Sequence, residues 1–380
     1  MRILISAGEA SGEFYGAELM KALRRQVPLD TAIEFFGVGG EQMRNTGCEL
    51  LVDAREIAEV GIVEVIKHIP NIYRRFRQVV HEADRRHPDA AVLIDFPDFN
   101  LRLARELHQQ GVPVIYYVSP QLWAWKQRRI ERVRKYVDQM LVIFPFEEKF
   151  YRQRGVAAEF VGHPLADLPA PSVSREQFAS EYKLDAAKPW IALLPGSRRA
   201  EVARIFPLLL EAVQLLGPEY VYTVPVASTL TQEWMASFLR EYHGPPITFT
   251  RDARATLLHA RAAAVASGTS TLEASLIGTP FVMVYCVAPL TWRLGRRLVK
   301  VDRFAMVNLI AERDVVPELV QDDFTPQRLC DELSKILADG PARAAMIEGF
   351  RDVRQRLEPA DAGANASERA AQAVLKIVER

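Results

Sequence analysis

Three stretches carry side chains whose types and spacing suit chemistry. In VLIDFPDFN, Asp95 ends an apolar run and Asp98 follows shortly after. A carboxylate at the carboxyl end of a central strand is half desolvated. That raises its pKa and suits it to general-base work. Asp98 has a plainer explanation as the cap of a helix beginning near Asn100. Asp95 is therefore the candidate base and Asp98 its local support. In ALLPGSRRAEVARIF, Ser197, Arg198 and Arg199 stand where a strand turns into a helix. Unpaired N–H groups at a helix N-terminus favour an anion, and guanidiniums there point to phosphate. A solvated turn with surface charges would read the same way in isolation. In AAVASGTSTLEASLIG, the run Ser267-Gly268-Thr269-Ser270-Thr271 again separates strand from helix. Small and hydroxylic residues let backbone amides and hydroxyls wrap a diphosphate. A helix cap explains one such residue but not the run. Glu273, one turn on, would not suit the phosphate but could accept hydrogen bonds from ribose hydroxyls.

Other motifs narrow the chemistry. SAGEASGEFYGAEL places Gly8, Gly12 and Gly16 after the first strand, in a G-x-x-x-G-x-x-x-G spacing. This is neither the G-x-G-x-x-G of a dinucleotide site nor a P-loop with its lysine, so NAD and ATP are not expected. Glu9 and Ser11 in that turn serve either as helix caps or as substrate contacts. YYVSPQLWAWKQRR sets Trp123 and Trp125 in a loop, to line an apolar ligand site or to cover the sheet. No D-x-D, H-E-x-x-H or G-x-S-x-G occurs, so neither a metal nor a covalent nucleophile is expected. A departing diphosphate must then be met by arginine and helix N-termini. In APLTWRLGRRLVKVDRF, residues 288–304, Leu290, Leu294, Leu298 and Val301 share one helical face. Arg293, Arg296 and Lys300 occupy another. Such a helix can lie on an anionic membrane or dock on its own domain.

The elements that must position these residues follow one rhythm. Short apolar runs without alternation, such as AAVLID and VPVIYYV, read as strands covered on both faces. Strands are expected at 3–6, 33–37, 91–95, 114–118, 140–143 and 159–161. Helices follow at 12–25, 62–86, 100–110, 127–136 and 147–153. GHPLADLPAPSVS, residues 162–174, breaks the rhythm as a linker. Strands then recur at 190–194, 220–224, 247–249, 263–266 and 281–284, with helices at 200–216, 230–242, 253–260 and 269–277. From Thr325 onward the chain reads as helix. The alternation predicts an α/β protein of two doubly wound, Rossmann-like parallel-sheet domains facing across a cleft. The first is placed at 1–165, with the C-terminal helix 355–380 able to pack back on it, and the second at 172–354.

The bulk numbers agree with that size. The 380 residues are 49% hydrophobic and 25% charged, enough for two ordinary cores. The 48 basic residues balance 48 acidic ones, so no nucleic-acid partner is expected and any anion site must be local. Three scattered cysteines encode neither a disulfide framework nor a zinc site and fit a reducing cytosol. The N-terminus lacks a signal-peptide core, and no apolar run is long enough to span a bilayer. The expectation is a soluble protein, attached at most to a membrane surface.

The motifs SAGEASGE, GVGG, GIVEV, IDFPDFN, YYVSPQLWAW, FPFE, FVGHPLAD, LLPGSRRAEV, ASGTSTLEA and NLIAER, in this order over nearly the whole length, resemble the lipid A disaccharide synthase family. The resemblance implies a GT-B glycosyltransferase of Gram-negative lipopolysaccharide synthesis. It would join UDP-2,3-diacylglucosamine to 2,3-diacylglucosamine 1-phosphate, giving a β-1,6-linked disaccharide and UDP without a metal. It implies Asp95 as base for the acceptor 6-hydroxyl and Glu9 as a second functional position. Arg198, Glu273 and Asn308 match positions for the UDP-sugar donor, with Ser197, Gly268, Thr269 and Ser270 beside them. Gly8, Ser11, Gly12 and Asn100 fall on the acceptor side. Acylated substrates imply peripheral attachment to the inner membrane, with Arg293, Arg296 and Lys300 as contacts. The family includes dimers with exchanged C-terminal parts, so a homodimer stays open. Only the first arginine of the turn is carried over, since Arg199 reads equally as a surface charge. Two alternatives remain: a UDP-sugar 2-epimerase of the same fold, and a non-catalytic nucleotide-sugar-binding protein.

Overall fold

A computed structural model describes all residues except 9, 29, 59–64, 290, 291, 294–301, 360–362 and 380. The chain divides into two compact units, Met1–Asp167 with Leu357–Arg380, and Leu168–Arg356.

The first unit is built on a seven-stranded parallel sheet. Its strands are β1 (Arg2–Ala7), β2 (Glu34–Gly39), β3 (Cys48–Asp53), β4 (Ala90–Ile94), β5 (Val114–Tyr117), β6 (Gln139–Val142) and β7 (Ala158–Phe160). They lie in the order β3-β2-β1-β4-β5-β6-β7. Every residue of β4 and β5 is buried, which is why these strands read as unbroken apolar runs. The C-terminal helix Ala366–Val378 belongs to this unit. Its N-cap Asn365 and Glu368 form a capping box, and Gln26 donates to the Glu368 carbonyl from helix Ala10–Gln26.

The second unit holds a six-stranded parallel sheet of β8 (Trp190–Leu194), β9 (Val221–Pro225), β10 (Ile247–Thr250), β11 (Ala262–Ala266), β12 (Phe281–Tyr285) and β13 (Glu318–Val320). Their order is β10-β9-β8-β11-β12-β13. In both sheets the direction of winding reverses once. The reversal lies between β1 and β4 in the first and between β8 and β11 in the second, and open α/β sheets bind ligands at that point.

The structure differs from the sequence reading in places. The edge strands β3 and β13 depart from the sequence reading, because CELLVD and ELV carry carboxylates among half-exposed residues and ELV is only three residues long. Helix Pro97–Gln109 starts three residues before the expected Asn100, with Pro97 in its first turn, where the missing N–H costs nothing. The expected helix 230–242 is a short helix Gln232–Ala236 followed by a 3-10 turn Ser237–Leu239. Among the described residues, no helix is long and apolar enough to cross a membrane.

Candidate active site

Both switch points carry unusual turns. In the first unit Ala7 of β1 pairs with Ile94 of β4, so the turns after them, Gly8 and Asp95, are neighbours. Asp95 (φ 43°) and Phe96 (φ 50°) are two consecutive non-glycine residues in the left-handed region. Each costs roughly 1–2 kcal/mol relative to ordinary backbone. Several bonds hold them there. The Asp95 N–H donates to the carbonyls of Tyr117 and Val118, both at 3.2 Å. The Asp95 carbonyl accepts from Tyr116 Oη at 2.6 Å and from Asn100 Nδ2 at 2.9 Å. Asn100, fully buried, also donates to the carbonyls of Ser6 (3.3 Å) and Ile94 (3.1 Å) and accepts from Ser6 Oγ (2.7 Å). One amide therefore ties β1, β4 and the strained turn together. Asp95 itself is half-buried at the mouth of the sheet. Backbone strain of this kind, over-determined by its surroundings, is characteristic of functional turns.

The neighbouring residues are placed as follows. Gly8 is buried and the Phe96 ring lies over it, so a Cβ at position 8 would collide with that ring. Gly12 is buried beside Ile94, and Ser11 is half-exposed inside the first turn of helix Ala10–Gln26. Glu9 lies outside the described residues. Asp98 is not a cap. The helix has already begun at Pro97, Phe96 takes the N-cap position, and the exposed Asp98 carboxylate pairs with Arg129.

In the second unit the end of β8 pairs beside the end of β11, Leu194 against Val265. This brings the turn Pro195–Arg198 next to Ser267–Gly268. Gly268 (φ 148°, ψ −162°) occupies backbone space open only to glycine and is the N-cap of helix Thr269–Ile277, with no side chain capping it. Gly268 and Thr269 are exposed and Ser270 half-exposed, so their backbone N–H groups face outward at a helix N-terminus. Glu273 is half-buried one turn into that helix. Burial pushes its carboxyl up from the usual range, with Arg254 opposing.

The β8 turn already holds a carboxylate. Arg198 is the uncapped N-cap of helix Arg199–Leu216. Glu201 folds back so that its carboxylate fills the space a Cβ on Gly196 would need, beside the backbone of Ser197 and Arg198. Burial raises the Glu201 pKa, and the Arg198 guanidinium and that backbone oppose the rise. Ser197 and Arg198 are exposed, and the Ser197 carbonyl accepts from Thr229 Oγ1 at 2.6 Å. Arg199 instead stands over the Trp234 ring, its Cζ 5.5 Å from the centroid, which gives it a packing role.

Asn308 differs from a direct ligand contact. It is buried, its Nδ2 donates to the Val316 carbonyl (2.9 Å) and Glu318 Oε1 (2.8 Å), and its Oδ1 accepts from the N–H groups of Val315 (2.8 Å) and Val316 (2.9 Å). A side-chain amide has two donors and two acceptor sites, and all four are engaged. Glu318 in turn accepts from the N–H groups of Phe304 and Ala305, and Ser267 Oγ donates to the Phe304 carbonyl at 3.1 Å. Asn308 thus braces the segment behind the β11 turn.

Sequence reasoning missed Glu147. It is buried at 1% exposure and accepts from Ser119 Oγ (2.7 Å), Trp123 Nε1 (3.0 Å) and the Phe144 N–H (3.2 Å). Burial pushes its carboxyl up to about 7 against those three donors. It anchors the loop after β5, so Trp123 is a structural contact. Trp125 is 40% exposed, with Lys126 Nζ 4.1 Å above its ring. Arg293 is exposed, whereas Arg296 and Lys300 lie outside the described residues. Among the described residues, no group of three or more His, Cys, Asp or Glu side chains is placed to hold a metal ion.

Comparison with known proteins places this geometry in a lineage. Residues 3–374 match the family model described as lipid-A-disaccharide synthetase. The lipid-A-disaccharide synthase of Koribacter versatilis (strain Ellin345) is 56% identical over 381 residues, covering 100% of this chain and 99% of that protein. That of Acidobacterium capsulatum is 50% identical, covering 93% of this chain and 91% of that protein. Among solved structures, the glycosyltransferase of kitacinnamycin superposes with TM-score 0.66 at 13% identity, with 99% of each chain covered. At that distance the likeness concerns the fold, which is GT-B. The matched span and these identities assign the chain to the lipid-A-disaccharide synthetase family of glycosyltransferases.

Proposed function

We propose that the protein is an inverting glycosyltransferase that condenses UDP-2,3-diacylglucosamine with 2,3-diacylglucosamine 1-phosphate in lipid A synthesis, releasing UDP. The observation that carries this reading is the pair of switch-point turns. One presents a carboxylate on a strained backbone, and the other presents helix N-termini beside an arginine. In the proposed step the acceptor 6-hydroxyl oxygen attacks C1 of the donor sugar. Asp95 takes the hydroxyl proton as the bond from C1 to the diphosphate oxygen breaks. The new bond forms on the face opposite the leaving group, which gives the β-1,6 linkage. A base aligned on the attacking hydroxyl is worth about a hundredfold or more.

The leaving diphosphate gains charge as the bond breaks. Arg198, Ser197 and the N–H groups of Gly268, Thr269 and Ser270 would stabilise it in place of a divalent ion. Glu201 would then share or yield its place beside Ser197 and Arg198 to the incoming phosphate. Glu273 would accept from the ribose hydroxyls. Asn308 supports the donor site through the backbone it braces. Gly8 lets the Phe96 ring of the strained turn lie over it and Gly12 lets the first helix pack beside Ile94, which fixes the acceptor side of the first switch point, with the half-exposed Ser11 beside them. Acyl chains on both substrates would bring the enzyme to a membrane surface, where the exposed Arg293 is a contact.

The test is incubation with both diacylated substrates and a chelator, followed by mass detection of the disaccharide 1-phosphate. Its formation with stoichiometric UDP supports the reading. Absence of product from protein that binds UDP would refute it, as would interconversion of the donor sugar at C2 with no acceptor consumed.

A further inference from the structure

Beside the Asp95 turn lies a pocket of about 310 Å³, lined by Pro97, Asp98, Arg102, Arg128, Arg129 and Arg132. Two segments meet there. Helix Pro97–Gln109 contributes Asp98 and Arg102 one turn apart on the same face. The 3-10 turn Gln127–Arg129 and the helix Ile130–Tyr136 that continues it contribute the other three arginines. Asp98 pairs with Arg129 and fixes its direction. Among the described residues, Arg102, Arg128 and Arg132 have no carboxylate partner and are exposed at the pocket rim. Four guanidiniums around one carboxylate leave three positive charges facing a single concavity. Like charges gathered in this way repel one another unless an anion joins them. Planar, forked guanidiniums converging from two walls match the oxygens of a phosphate group. The volume falls at the small end of ligand pockets, enough for a phosphate with part of the sugar that carries it.

We infer that this pocket binds the phosphomonoester of the acceptor and so sets which hydroxyl of the acceptor sugar reaches Asp95. The inference rests on the acceptor proposed above. Asp95 precedes Pro97 and Asp98 by two and three residues, so the carboxylate turn leads directly into the pocket wall. A phosphate held on the arginines restrains the same sugar ring whose 6-hydroxyl is to be deprotonated. Asp98 acts through Arg129 as a positioning residue. A concave site beside that turn favours the acceptor over the headgroup of a bulk phospholipid, which a flat basic patch would serve.

The test uses R128Q, the double variant R102Q/R132Q, and R128K. All are exposed substitutions that leave the Asp98–Arg129 pair intact. Initial rates of UDP release are measured at saturating donor, with the phosphorylated acceptor and with the same diacylglucosamine lacking its phosphate. The pocket predicts that KM for the phosphorylated acceptor rises about tenfold for each guanidinium removed, the usual worth of a charge-assisted hydrogen bond. Kinetics with the unphosphorylated acceptor and the donor KM should stay within twofold, and R128K should fall between wild type and R128Q. Equal effects on both acceptors, or none on either, would overturn the assignment while leaving the proposed reaction standing. Titration with glucosamine 1-phosphate followed by 31P NMR needs no turnover. Binding by wild type that the variants lose supports the pocket even if no disaccharide forms, the outcome in which the reaction itself fails. Loss of sedimentation with phosphatidylglycerol vesicles, with acceptor KM unchanged, would reassign the arginines to the membrane and overturn the inference.

Discussion

Replacing Asn100 by alanine removes the one side chain that ties β1, β4 and the Asp95 turn together, and the cost can be worked from its contacts. Its amide nitrogen shares two hydrogens among three carbonyls at 2.9–3.3 Å, and its oxygen accepts one bond at 2.7 Å, with the Asn100 side chain itself fully buried. Neutral hydrogen bonds contribute about 1 kcal/mol each, and buried partners left unsatisfied add to the loss. The total comes to about 3–4 kcal/mol. For a unit of this size that lowers the melting temperature of the first unit by roughly 10 °C. The Asp95 carbonyl loses the Asn100 amide and retains the Tyr116 hydroxyl, so the two left-handed residues can relax. A displacement of about 1 Å at a reacting group costs on the order of a hundredfold in rate. We therefore expect kcat for disaccharide formation to fall about 10- to 100-fold. Donor affinity, proposed to reside in the other unit, should stay within twofold. Asn100→Asp keeps the shape but turns an oxygen toward three carbonyls, and should be at least as damaging. The assay pairs thermal unfolding followed by near-UV circular dichroism with steady-state UDP release. An alanine variant that melts within about 2 °C of wild type and turns over normally would refute the claim that Asn100 holds the turn.

Three further outcomes follow from the same geometry. Gly268→Ala meets no neighbouring atom among the described residues but must adopt backbone space open only to glycine, so it should cost about 1–3 kcal/mol and weaken UDP binding about tenfold by calorimetry. Arg198→Ala should weaken UDP binding about tenfold, whereas Arg199→Ala should lose only about 0.5–1 kcal/mol of stability with UDP affinity unchanged. Glu147 has its pKa raised from 4.5 to about 7 in the folded state by burial, so as pH rises from about 4.5 to 7 the unfolded chain ionises first and stability is lost, by about 3 kcal/mol in all. Glu147→Gln should flatten that part of the stability profile relative to wild type, and urea midpoints at pH 5 and pH 8 that shift equally in both proteins would contradict it.

How much was legible in the sequence depended on whether the signal was local. The central strands were plain because burial on both faces leaves nothing but apolar residues in β4, β5, β8 and β11. Edge strands β3 and β13 mix carboxylates with apolar residues and gave no such signal. The turns after β1, β4, β8 and β11 could be recognised as chemically suggestive one at a time. Their pairing at two switch points needed the strand order, which no window of residues contains. Polar side chains turned inward were the hardest to read. Asn308 in NLIAER reads, by resemblance, as a donor-site position, and Glu147 in FPFE gives no signal at all, yet each is buried with its polar atoms bonded to protein groups. The run QRRIERVR likewise reads as a solvated helix face. Only the adjacency of β4 and β5 brings it against Asp98 and Arg102. For Asp98 the missed signal was Pro97, whose preference for a first helical turn puts the cap at Phe96.

The most direct measurement of the central claim is turnover by Asp95→Asn, made with both acylated substrates and paired with UDP titration of the same preparation. Asparagine preserves the size of the side chain and the backbone bonds that hold the turn but cannot take the acceptor proton. Disaccharide formation should fall at least about a hundredfold while UDP affinity remains within twofold of wild type. Turnover close to wild type would show that the carboxylate at the β1–β4 switch point is not the base.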